Sequence, residues 1–498
     1  MDDVITLPLS DDLRRPLSEA AGFFSARGVT VYATGGFLRD ALVGAPFRDV
    51  DLSIGSDPIE IGPPLADALG GSYFALDEDR GHVRIGLKDG GIHVDLLPLR
   101  GAIEHDLKLR DYTVDALAAP LGELVTGTAS VVDPTGGLDD LRGRLIRVVS
   151  EGAFSTDPLR LMRGVRLATQ LDFEIESETA ELIERHAALL RGAAVERQRE
   201  ELMRIMATPR AARGLRLLDT LGLMDVVLPE MAVTRGVEQP KEHHWDVLGH
   251  SFAAVESLDA LLADGAPDSE PEASLWAELW RQLGWWSGAR GHFREEIVSG
   301  TTRIAVLKLT SFLHDIGKPE TKSFQDDGRM RFFGHSKSGA EIAQRLMRRL
   351  RFSAREIALA HAMIEAHLRP VQMAQQTTPS PKAIYRFFRD TGEAGIDTLF
   401  LSLADHLGTV GPRVSPVDFR AHVALVSYLL ARHFERPAEG APERLLDGDD
   451  LMAALGLAPG PQLGELLEVV REAYAIGEVT SRDAALELAR RLLDAPKA

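Results

Sequence analysis

The sequence predicts an α+β protein in which a head with a mixed sheet and helices is followed by an all-helical remainder. Up to residue 140, short runs rich in β-branched residues alternate with turns, as at residues 29–33 and 50–54. From about Asp157 onward, apolar residues recur at helical spacing. The chain has 498 residues, too many for one ordinary core, so two to four domains are expected.

The predicted elements of the head surround a glycine pair. A strand over 29–33 ends at Gly35 and Gly36, a helix covers 37–43, and a second strand covers 50–54. Residues 82–87 and 92–97 are predicted to pair as a hairpin around residues 89–91. Further helices are predicted over the segments 178–190, 196–206, 211–221 and most of 301–430.

These patterns divide the chain into four predicted parts: 1–140, 141–235, 236–435 and 436–498. Residues 260–274 and 436–443 have the composition of a linker or insertion. A cluster of tryptophans follows the first of these segments, and local core packing is its expected role. Its members are Trp276, Trp280, Trp285 and Trp286.

Composition and charge exclude several classes of protein. The absence of cysteine excludes disulfides and thiolate metal sites. No apolar run is long enough to span a bilayer and no signal segment is evident, so a cytoplasmic protein without membrane contact is expected. The net charge of −19 argues against indiscriminate nucleic-acid binding. Residues 141–216, however, contain fourteen Arg, no Lys and eleven acidic residues, which suits either phosphate contact or solvated, ion-paired helices.

The strongest chemical signal in the head combines the glycine pair with two aspartates. Gly35 and Gly36 at a strand-to-helix turn let backbone N–H groups approach a phosphate. Asp49 and Asp51, two residues apart on a strand, place both carboxylates on one face. Oxygen ligands of this kind suit Mg²⁺, and two such ions promote attack by a 3′-hydroxyl and departure of pyrophosphate. Asp95, on a later strand, could supply a third catalytic carboxylate.

Five segments in this order resemble the class II tRNA nucleotidyltransferase and bacterial poly(A) polymerase family. They are residues 35–40 (GGFLRD) with 49–51 (DVD), 106–113 (DLKLRDYT), 133–141 (DPTGGLDDL), 157–163 (DPLRLMR) and 196–202 (ERQREEL). The resemblance implies a catalytic nucleotidyltransferase head at 1–140. It also implies a helical neck and body at 141–235 for nucleotide selection and RNA binding.

The resemblance also implies residue roles. Asp49 and Asp51 would hold Mg²⁺, Arg110 and Asp111 would contact the incoming nucleotide, and Asp157 with Arg160 would select its base by hydrogen bonds to the Watson–Crick edge. Asp157 could equally serve as a helix N-cap before Pro158. The full set of expected nucleotide-binding residues is Gly35, Gly36, Arg39, Arg110, Asp111, Asp157, Arg160, Arg163 and Arg166. For Arg163 and Arg166, an exposed helix face is the alternative.

Three features depart from the family pattern. Thr156 stands where the fourth segment usually has Glu, and Asp115–Ala116 stands where the second usually ends in Asn–Ala. The stretch from Leu96 to His105 is short, whereas many CCA-adding members have a longer flexible loop there, thought to help the switch from C to A. A CC-adding or A-adding specialist is therefore an alternative to a complete CCA-adding enzyme.

A second candidate metal site lies in the histidine-rich region. The adjacent pair His314–Asp315 offers a nitrogen and an oxygen ligand to one ion, and imidazole with carboxylate suits Mn, Fe, Co, Ni or Zn better than Mg. The pattern resembles an HD-domain phosphohydrolase, with His250, His314, Asp315, His335, His367 and Asp405 as ligands. His361 is expected on the surface or behind the ligands, and His243 and His244 behind them. Some HD domains are inert spacers.

The resulting hypothesis is a bifunctional enzyme acting on tRNA with ATP and CTP. The head would add C and/or A to tRNA 3′ ends without a template, and the HD domain at 236–435 would act as a phosphohydrolase. A poly(A) polymerase of the same fold is the second alternative, and a phosphohydrolase whose head mainly binds RNA is the third. No protein partner is evident from the sequence.

Overall fold

A computed structural model of the protein describes residues 3–7, 9–47, 49–87, 91–374, 378–435 and 445–494. The chain forms two compact units. The first comprises Met1–Ile205 with Leu217–Val227, and the second comprises Met206–Arg216 with Leu228–Ala498. Among the residues described, no helix combines the length and the apolar character needed to cross a membrane.

Strands are concentrated in the first unit. They are β1 (Asp3–Thr6), β2 (Val31–Thr34), β3 (Asp49–Ile54), β4 (Ser72–Asp77), β5 (His82–Gly86), β6 (His93–Pro98), β7 (Ala118–Pro120), β8 (Thr128–Val131), β9 (Leu145–Ile146), β10 (Glu174–Ile175), β11 (Glu296–Val298), β12 (Thr301–Thr302), β13 (Lys322–Phe324) and β14 (Met330–Phe332).

Helices dominate from residue 137 onward. They are α1 (Asp11–Ala26), α2 (Gly35–Val43), α3 (Pro58–Ala68), α4 (Ile103–Lys108), α5 (Leu121–Leu124), α6 (Gly137–Gly143), α7 (Gly152–Thr156), α8 (Arg160–Leu171), α9 (Ser177–His186), α10 (Val195–Met206), α11 (Ala211–Thr220), α12 (Met224–Val227), α13 (Pro229–Ala232), α14 (Val247–Leu261), α15 (Glu272–Leu283), α16 (Ala289–Arg294), α17 (Arg303–Leu313), α18 (Lys318–Thr321), α19 (His335–Arg349), α20 (Ala354–Ala366), α21 (Arg369–Ala374), α22 (Pro381–Thr391), α23 (Gly395–Val410), α24 (Pro416–Phe434), α25 (Gly448–Leu455), α26 (Pro461–Ala475) and α27 (Arg482–Asp494).

The head is built on a six-stranded mixed sheet, which confirms the predicted α+β class. Its strand order is β4-β5-β6-β3-β2-β7. The pair β3–β6 is parallel, whereas the other pairs are antiparallel. The predicted hairpin is present as the antiparallel pair β5–β6, although residues 89 and 90 of its turn lie outside the described residues.

Alternation along β3 determines which residues face the site. Val50, Leu52 and Ile54 are completely buried and pack into the core. Because successive side chains in a strand point to opposite faces, Asp49 and Asp51 project from the other face. Strand β6 repeats this pattern: Val94 and Leu96 are buried, so Asp95 shares the face of the two aspartates.

In the second unit, α17 leads into the histidine cluster and is buried along almost its whole length. The predicted linker at 260–274 ends within helix α15, which begins at Glu272. Indole N–H groups of Trp276 and Trp280 donate to backbone carbonyls of Ala263 (3.1 Å) and Leu261 (3.0 Å), which anchors this segment locally. The predicted linker at 436–443 lies outside the described residues. Helices α25–α27 form a separate small core at the end of the chain.

Candidate functional site

Three carboxylates are brought together by the register of two parallel strands. Asp51 on β3 lies directly beside Asp95 on β6, and Asp49 lies beside His93. Neighbouring strands are about 4.8 Å apart, so side chains at paired positions on one face are neighbours. The third carboxylate that the sequence suggested therefore lies next to the first two.

Basic side chains surround these carboxylates, and the charge of Arg84 offsets their mutual repulsion. Arg84, on β5, donates to both oxygens of Asp95, with Nε–Oδ1 at 2.8 Å and Nη2–Oδ2 at 2.7 Å. Its Nη2 also lies 3.2 Å from Asp49 Oδ1, and His93 Nδ1 lies 3.1 Å from that same oxygen. Sequence reasoning missed Arg84. The hairpin register would have revealed it, because Arg84 pairs directly with Asp95 across β5 and β6.

Asp51 is the most strongly perturbed of the three acids. Burial, followed by the nearby charge of Asp95, raises the pKa of Asp51 to about 6, while Arg110 acts in the opposite direction. Arg110 itself is held in place by three oxygens, Oγ1 of Thr34 (3.2 Å), Oγ of Ser53 (3.1 Å) and Oδ2 of Asp106 (3.2 Å). A cation bound at Asp51 would remove the penalty on its charged form.

The glycine turn fits closely over this site. Gly35 has φ +68°, and a Cβ at this position would lie 3.0 Å from Arg110 Nη1 and 3.1 Å from Asp51 Oδ2. Only glycine combines that backbone conformation with so little space. The turn therefore brings the N-terminus of α2 against Asp51, where its backbone N–H groups suit a phosphate.

Arg39 lies behind the turn rather than in the cavity. Its guanidinium pairs with Asp115 and, at 2.8 Å, with Asp40, and the side chain is almost completely buried. It thus fixes α2 to the turn at Thr113–Asp115. Asp115 replaces the usual Asn of the family pattern, and its negative charge is matched by Arg39.

A cavity of about 340 Å³ connects Asp51 with most of the predicted nucleotide contacts. Its lining includes eight of the predicted residues: Gly35, Gly36, Asp51, Arg110, Asp111, Asp157, Arg160 and Arg163. Asp106, Asp115 and Arg100 line it as well, and sequence reasoning did not single them out as site residues. Asp49, Asp95, Arg39 and Arg166 are not among its lining residues.

The side of the cavity formed by α8 is held by a half-buried ion pair and a tight contact. Arg163 Nε lies 2.7 Å from Asp111 Oδ2. Burial alone would raise the pKa of Asp111, but the charges of Arg163 and then Arg160 lower it. Tyr112 donates its hydroxyl to the Arg160 carbonyl (2.6 Å). A Cβ at Gly164 would lie only 2.2 Å from that hydroxyl oxygen, so glycine permits this approach.

Asp157 and Arg160 both face the cavity, each with a partner that orients it. Asp157 accepts from the backbone N–H of Leu159 (3.1 Å) and from the two terminal guanidinium nitrogens of Arg197, Nη2 at 2.8 Å and Nη1 at 3.3 Å. Burial opposes ionisation, but the Arg197 and Leu159 hydrogen bonds lower the pKa of Asp157. Arg160 donates to the Leu109 carbonyl (3.2 Å). Arg197 stands in the fifth motif, yet its pairing with Asp157 was not foreseen.

Arg166 points elsewhere. It pairs with Glu201 at 2.7 Å and donates to Gln170 at 3.1 Å, which links α8 to α10. Its nucleotide contact remains a prediction.

The six histidine and aspartate residues predicted as ligands form one buried cluster in the second unit. His250 Nε2 lies 3.0 Å from His314 Nε2, 3.2 Å from Asp315 Oδ2 and 3.1 Å from Asp405 Oδ1. On the other oxygen of Asp315, His335 Nε2 lies at 3.4 Å and His367 Nε2 at 4.0 Å. Asp315 therefore stands between two groups of imidazoles.

The distances and hydrogen bonds of this cluster fit a metal centre. Ligand atoms about 2.1 Å from one ion lie about 3.0–3.4 Å from each other at tetrahedral or square angles. Three of the imidazoles donate Nδ1–H to a carbonyl three residues earlier, at 2.7, 2.7 and 2.6 Å, which leaves Nε2 as the ligand atom. They are His314, His335 and His367.

Asp315 has the surroundings expected of a metal ligand. Neither of its buried oxygens has a hydrogen bond of normal geometry, although Lys318 Nζ lies 2.6 Å from Oδ2. Burial opposes protonation of His314, but Asp315 and Asp405 raise its pKa to about 10, so one proton balances the charge where no ion is bound. Burial and the neighbouring His314 lower the pKa of His367 to about 4.

The three histidines that were expected beside the ligands, or on the surface, lie outside the ligand set. His361 is partly exposed and lies 3.7 Å from Glu365. The ring of His243 packs edge-on against His250 at 5.6 Å between centroids, and burial, followed by Lys318, lowers its pKa to about 4. His244 packs against Trp245.

Three family models match successive parts of the chain. "Poly A polymerase head domain" matches residues 31–147, "Probable RNA and SrmB- binding site of polymerase A" matches 172–234, and "HD domain" matches 275–409. These ranges include both the carboxylate site and most of the histidine cluster.

Curated relatives match over almost the whole chain. The A-adding tRNA nucleotidyltransferase of Deinococcus radiodurans is 35% identical, covering 89% of this chain and 91% of that protein. The CC-adding tRNA nucleotidyltransferase of Geobacter sulfurreducens is 34% identical, covering 94% of each. The solved structure of a Thermotoga maritima CCA-adding enzyme complexed with tRNA shares the fold, with a TM-score of 0.59 at 20% identity, over 99% of this chain and 100% of that one.

Replacing Asp51 by Asn is expected to stabilise the metal-free protein at neutral pH. Folding raises the pKa of Asp51 from 3.8 to about 6, so the wild type loses folding free energy as pH rises through this window. One pKa unit corresponds to about 1.4 kcal/mol, which makes the loss on the order of 3 kcal/mol. Asn cannot ionise and escapes this loss.

Urea unfolding in the presence of a chelator, at pH 4 and pH 7, measures this difference. Asp67→Asn, on the exposed side of α3, is the matched control and should follow the wild type. If the free energy of unfolding of D51N and of the wild type depended on pH in the same way, the raised pKa assigned to Asp51 would be wrong.

Proposed function

The chain belongs to the tRNA nucleotidyltransferase family, and on this premise we propose that it adds C and/or A from CTP and ATP to the 3′ end of tRNA. One observation carries the proposal above all. Asp51 lines the same cavity as Asp157 and Arg160, so the predicted reaction centre and the predicted base-selecting pair face one bound nucleotide. We also propose that this activity takes place in the cytoplasm.

The residues of the head have distinct roles in the proposed transfer. Asp49 and Asp51 provide only oxygen ligands, the type that Mg²⁺ prefers, and Asp95 adds charge beside them while Arg84 orients it. Bound Mg²⁺ supplies activation of the RNA 3′-hydroxyl and stabilisation of the leaving pyrophosphate. The N-terminus of α2 at Gly35 and Gly36 is placed to receive phosphate oxygens.

Base selection falls to Asp157 and Arg160. The carboxylate held by Arg197 stays ionised and therefore acts as an acceptor for the exocyclic amino group that both C and A carry. The guanidinium of Arg160 supplies donors for their ring acceptors. Uracil and guanine present the opposite pattern at these positions, so they leave a polar group without a partner.

Within this function, we favour a specialist that adds either C or A. Only residues 99–102 separate β6 from α4, and all of them are described, so there is no long flexible segment at this position. The relatives named A-adding and CC-adding also align over about nine-tenths of the chain.

Nucleotide selection tests this proposal. Full-length protein is incubated with tRNA lacking CCA, or ending in CC, and each labelled nucleotide in turn. A specialist incorporates C into the first tRNA only, or A into the second only. Asp157→Ala or Arg160→Ala should lower discrimination against U and G by roughly 1–3 kcal/mol, whereas the exposed Arg185→Ala should not change it.

Other outcomes lead elsewhere. Addition of C and then A by the wild type would identify a complete CCA-adding enzyme, and long A tracts on any RNA would identify a poly(A) polymerase. Unchanged discrimination with a reduced rate in D157A would restrict Asp157 to a role in the local turn.

We further propose that the histidine cluster is a metal-dependent phosphohydrolase centre. The six ligands fit transition metals better than Mg²⁺, because imidazole nitrogen competes well for such ions. A bound ion there supplies a water of lowered pKa for attack on a phosphate ester. His314, His335 and His367 hold their Nε2 atoms toward the centre through their carbonyl partners. Asp315 offers one oxygen to each group of histidines, which provides places for two ions.

Metal content, measured beside both activities, tests the second centre. The double variant His314→Ala, Asp315→Ala should lose bound transition metal and hydrolysis of RNA 3′-phosphates while nucleotide addition with Mg²⁺ persists. His361→Ala, at a partly exposed position of the same region, should keep the bound metal, the hydrolysis and the nucleotide addition. A wild type that binds no transition metal and hydrolyses no phosphate ester would make this domain structural. A wild type that hydrolysed but never added nucleotides would reverse the main assignment.

A further inference from the structure

One positive side chain in the cavity of the head has no partner. Four arginines line that cavity: Arg100, Arg110, Arg160 and Arg163. The guanidinium groups of Arg110, Arg160 and Arg163 each lie beside an oxygen of the protein, at 3.1, 3.2 and 2.7 Å. Arg100, by contrast, forms no hydrogen bond or ion pair with any residue that the structure describes, and it is exposed. It is therefore free to meet a ligand that enters the cavity.

Arg100 stands at one end of the sheet face that carries the carboxylates. It belongs to the short segment that connects β6 with α4. Two residues beyond Asp95 on β6, Leu97 shares the same face of the sheet. Leu97 lies beside Ser53 of β3, and both residues line the cavity. The cavity therefore continues along the two strands from the carboxylates toward Arg100.

The glycine turn stands at the opposite end of this face. Strand β2 runs antiparallel to β3, with Tyr32 beside Ser53, so the turn that follows β2 at Gly35 lies toward the start of β3. Arg100 lies beyond the end of β3, because β3 and β6 are parallel. The N-terminus of α2 at the glycine turn is the expected place for the triphosphate. A phosphate at Arg100 is then assigned to the second substrate, the RNA.

The charge of the cavity leaves Arg100 as the available phosphate ligand. Arg110 and Arg163 lie 3.2 and 2.7 Å from carboxylate oxygens, so part of their charge is already matched. His82 lines the cavity as well, but burial lowers its pKa, so it adds no charge at neutral pH. A guanidinium presents its donors in a fork that fits phosphate oxygens. Five aspartates face the four arginines, so the lining as a whole is not positive: Asp51, Asp106, Asp111, Asp115 and Asp157.

We propose that Arg100 binds a backbone phosphate next to the 3′ end of the acceptor RNA and thereby positions its 3′-hydroxyl at the carboxylates. The inference rests on the nucleotide addition proposed above and adds a residue that holds the second substrate. Arg100 binds the RNA backbone, whereas Asp49 and Asp51 serve the reacting atoms. A phosphate contact carries no information about the base, so Arg100 contributes to binding of the acceptor and not to the choice of nucleotide.

Kinetics with both substrates test the inference. Full-length wild type and Arg100→Ala are compared with the tRNA that the wild type extends and with the nucleotide that it adds. Loss of a charge-assisted phosphate contact predicts a KM for tRNA that is on the order of tenfold higher. The KM for the nucleotide and the discrimination against U and G should not change. Arg100→Lys keeps the charge and should recover part of the affinity for tRNA.

A tRNA with a neutral backbone at its 3′ end identifies the group that Arg100 binds. In this tRNA, methylphosphonates replace the last two internucleotide phosphates. The wild type should have a higher KM for it than for the ordinary tRNA. Arg100→Ala, which has already lost the contact, should show a much smaller difference between the two tRNAs. Equal differences in both proteins would overturn the inference, because Arg100 would then act on something other than these phosphates.

Arg80→Ala is the matched control, because Arg80 is an exposed arginine of the head that pairs with Asp77 at 3.7 Å and is not among the residues lining the cavity. It should leave both KM values unchanged. A higher KM for the nucleotide in Arg100→Ala would assign Arg100 to the triphosphate, and equal effects of the two variants would show only general attraction of RNA. An unchanged KM for tRNA would show that the contact is absent. Each of these results overturns the inference and leaves nucleotide addition standing.

Failure of the proposed function gives a different result. In that case the wild type adds no nucleotide to any tRNA. Equilibrium binding of the ordinary and the methylphosphonate tRNA, measured without nucleotide, then still decides whether Arg100 contacts the RNA backbone. Weaker binding of the ordinary tRNA by Arg100→Ala supports the contact, and equal binding by the variant and the wild type overturns it.

Discussion

The parallel pairing of β3 with β6 is the constraint on which the head depends. It places Asp51 beside Asp95 and Asp49 beside His93, and so gathers negative charge on one face of the sheet. Nearby residues offset that charge. Arg84 pairs with Asp49 and Asp95, and Gly35 leaves room for Arg110 beside Asp51. The raised pKa of Asp51 shows that ionising this carboxyl in the folded protein still costs free energy. A bound cation would remove that cost.

The candidate metal centre of the second unit depends on a different physical effect. There the ligands are mostly neutral imidazoles, so orientation matters more than charge. Each of three histidines follows a helical or turn segment whose carbonyl, three residues earlier, fixes Nδ1 and turns Nε2 inward. Asp315 is the common neighbour of both histidine groups. The ligand types of the two candidate centres therefore favour different ions.

Sequence reasoning recovered what local patterns encode and missed what register decides. Alternation predicted the two-faced strands. The resemblance to known families predicted eight of the residues that line the cavity and all six members of the histidine cluster. Arg84 and Arg197 were missed because their importance lies in partners 11 and 40 residues away. Arg39 and Arg166 were expected at the nucleotide; the structure pairs them with Asp115 and Glu201, and their contact with a nucleotide stays a prediction. The position of an arginine in the sequence does not reveal whether it forms an ion pair with a carboxylate that is distant in the sequence.

We expect Asp49 and Asp51 to hold the metal ion that nucleotide transfer requires. The most direct test is single-turnover incorporation of labelled nucleotide into tRNA with Mg²⁺ by Asp49→Asn and Asp51→Asn, beside Asp67→Asn as the control. Both site variants should fold normally and lose more than about a hundredfold in rate, because each removes one carboxylate from the ion. Transfer at the wild-type rate by either site variant would contradict the account.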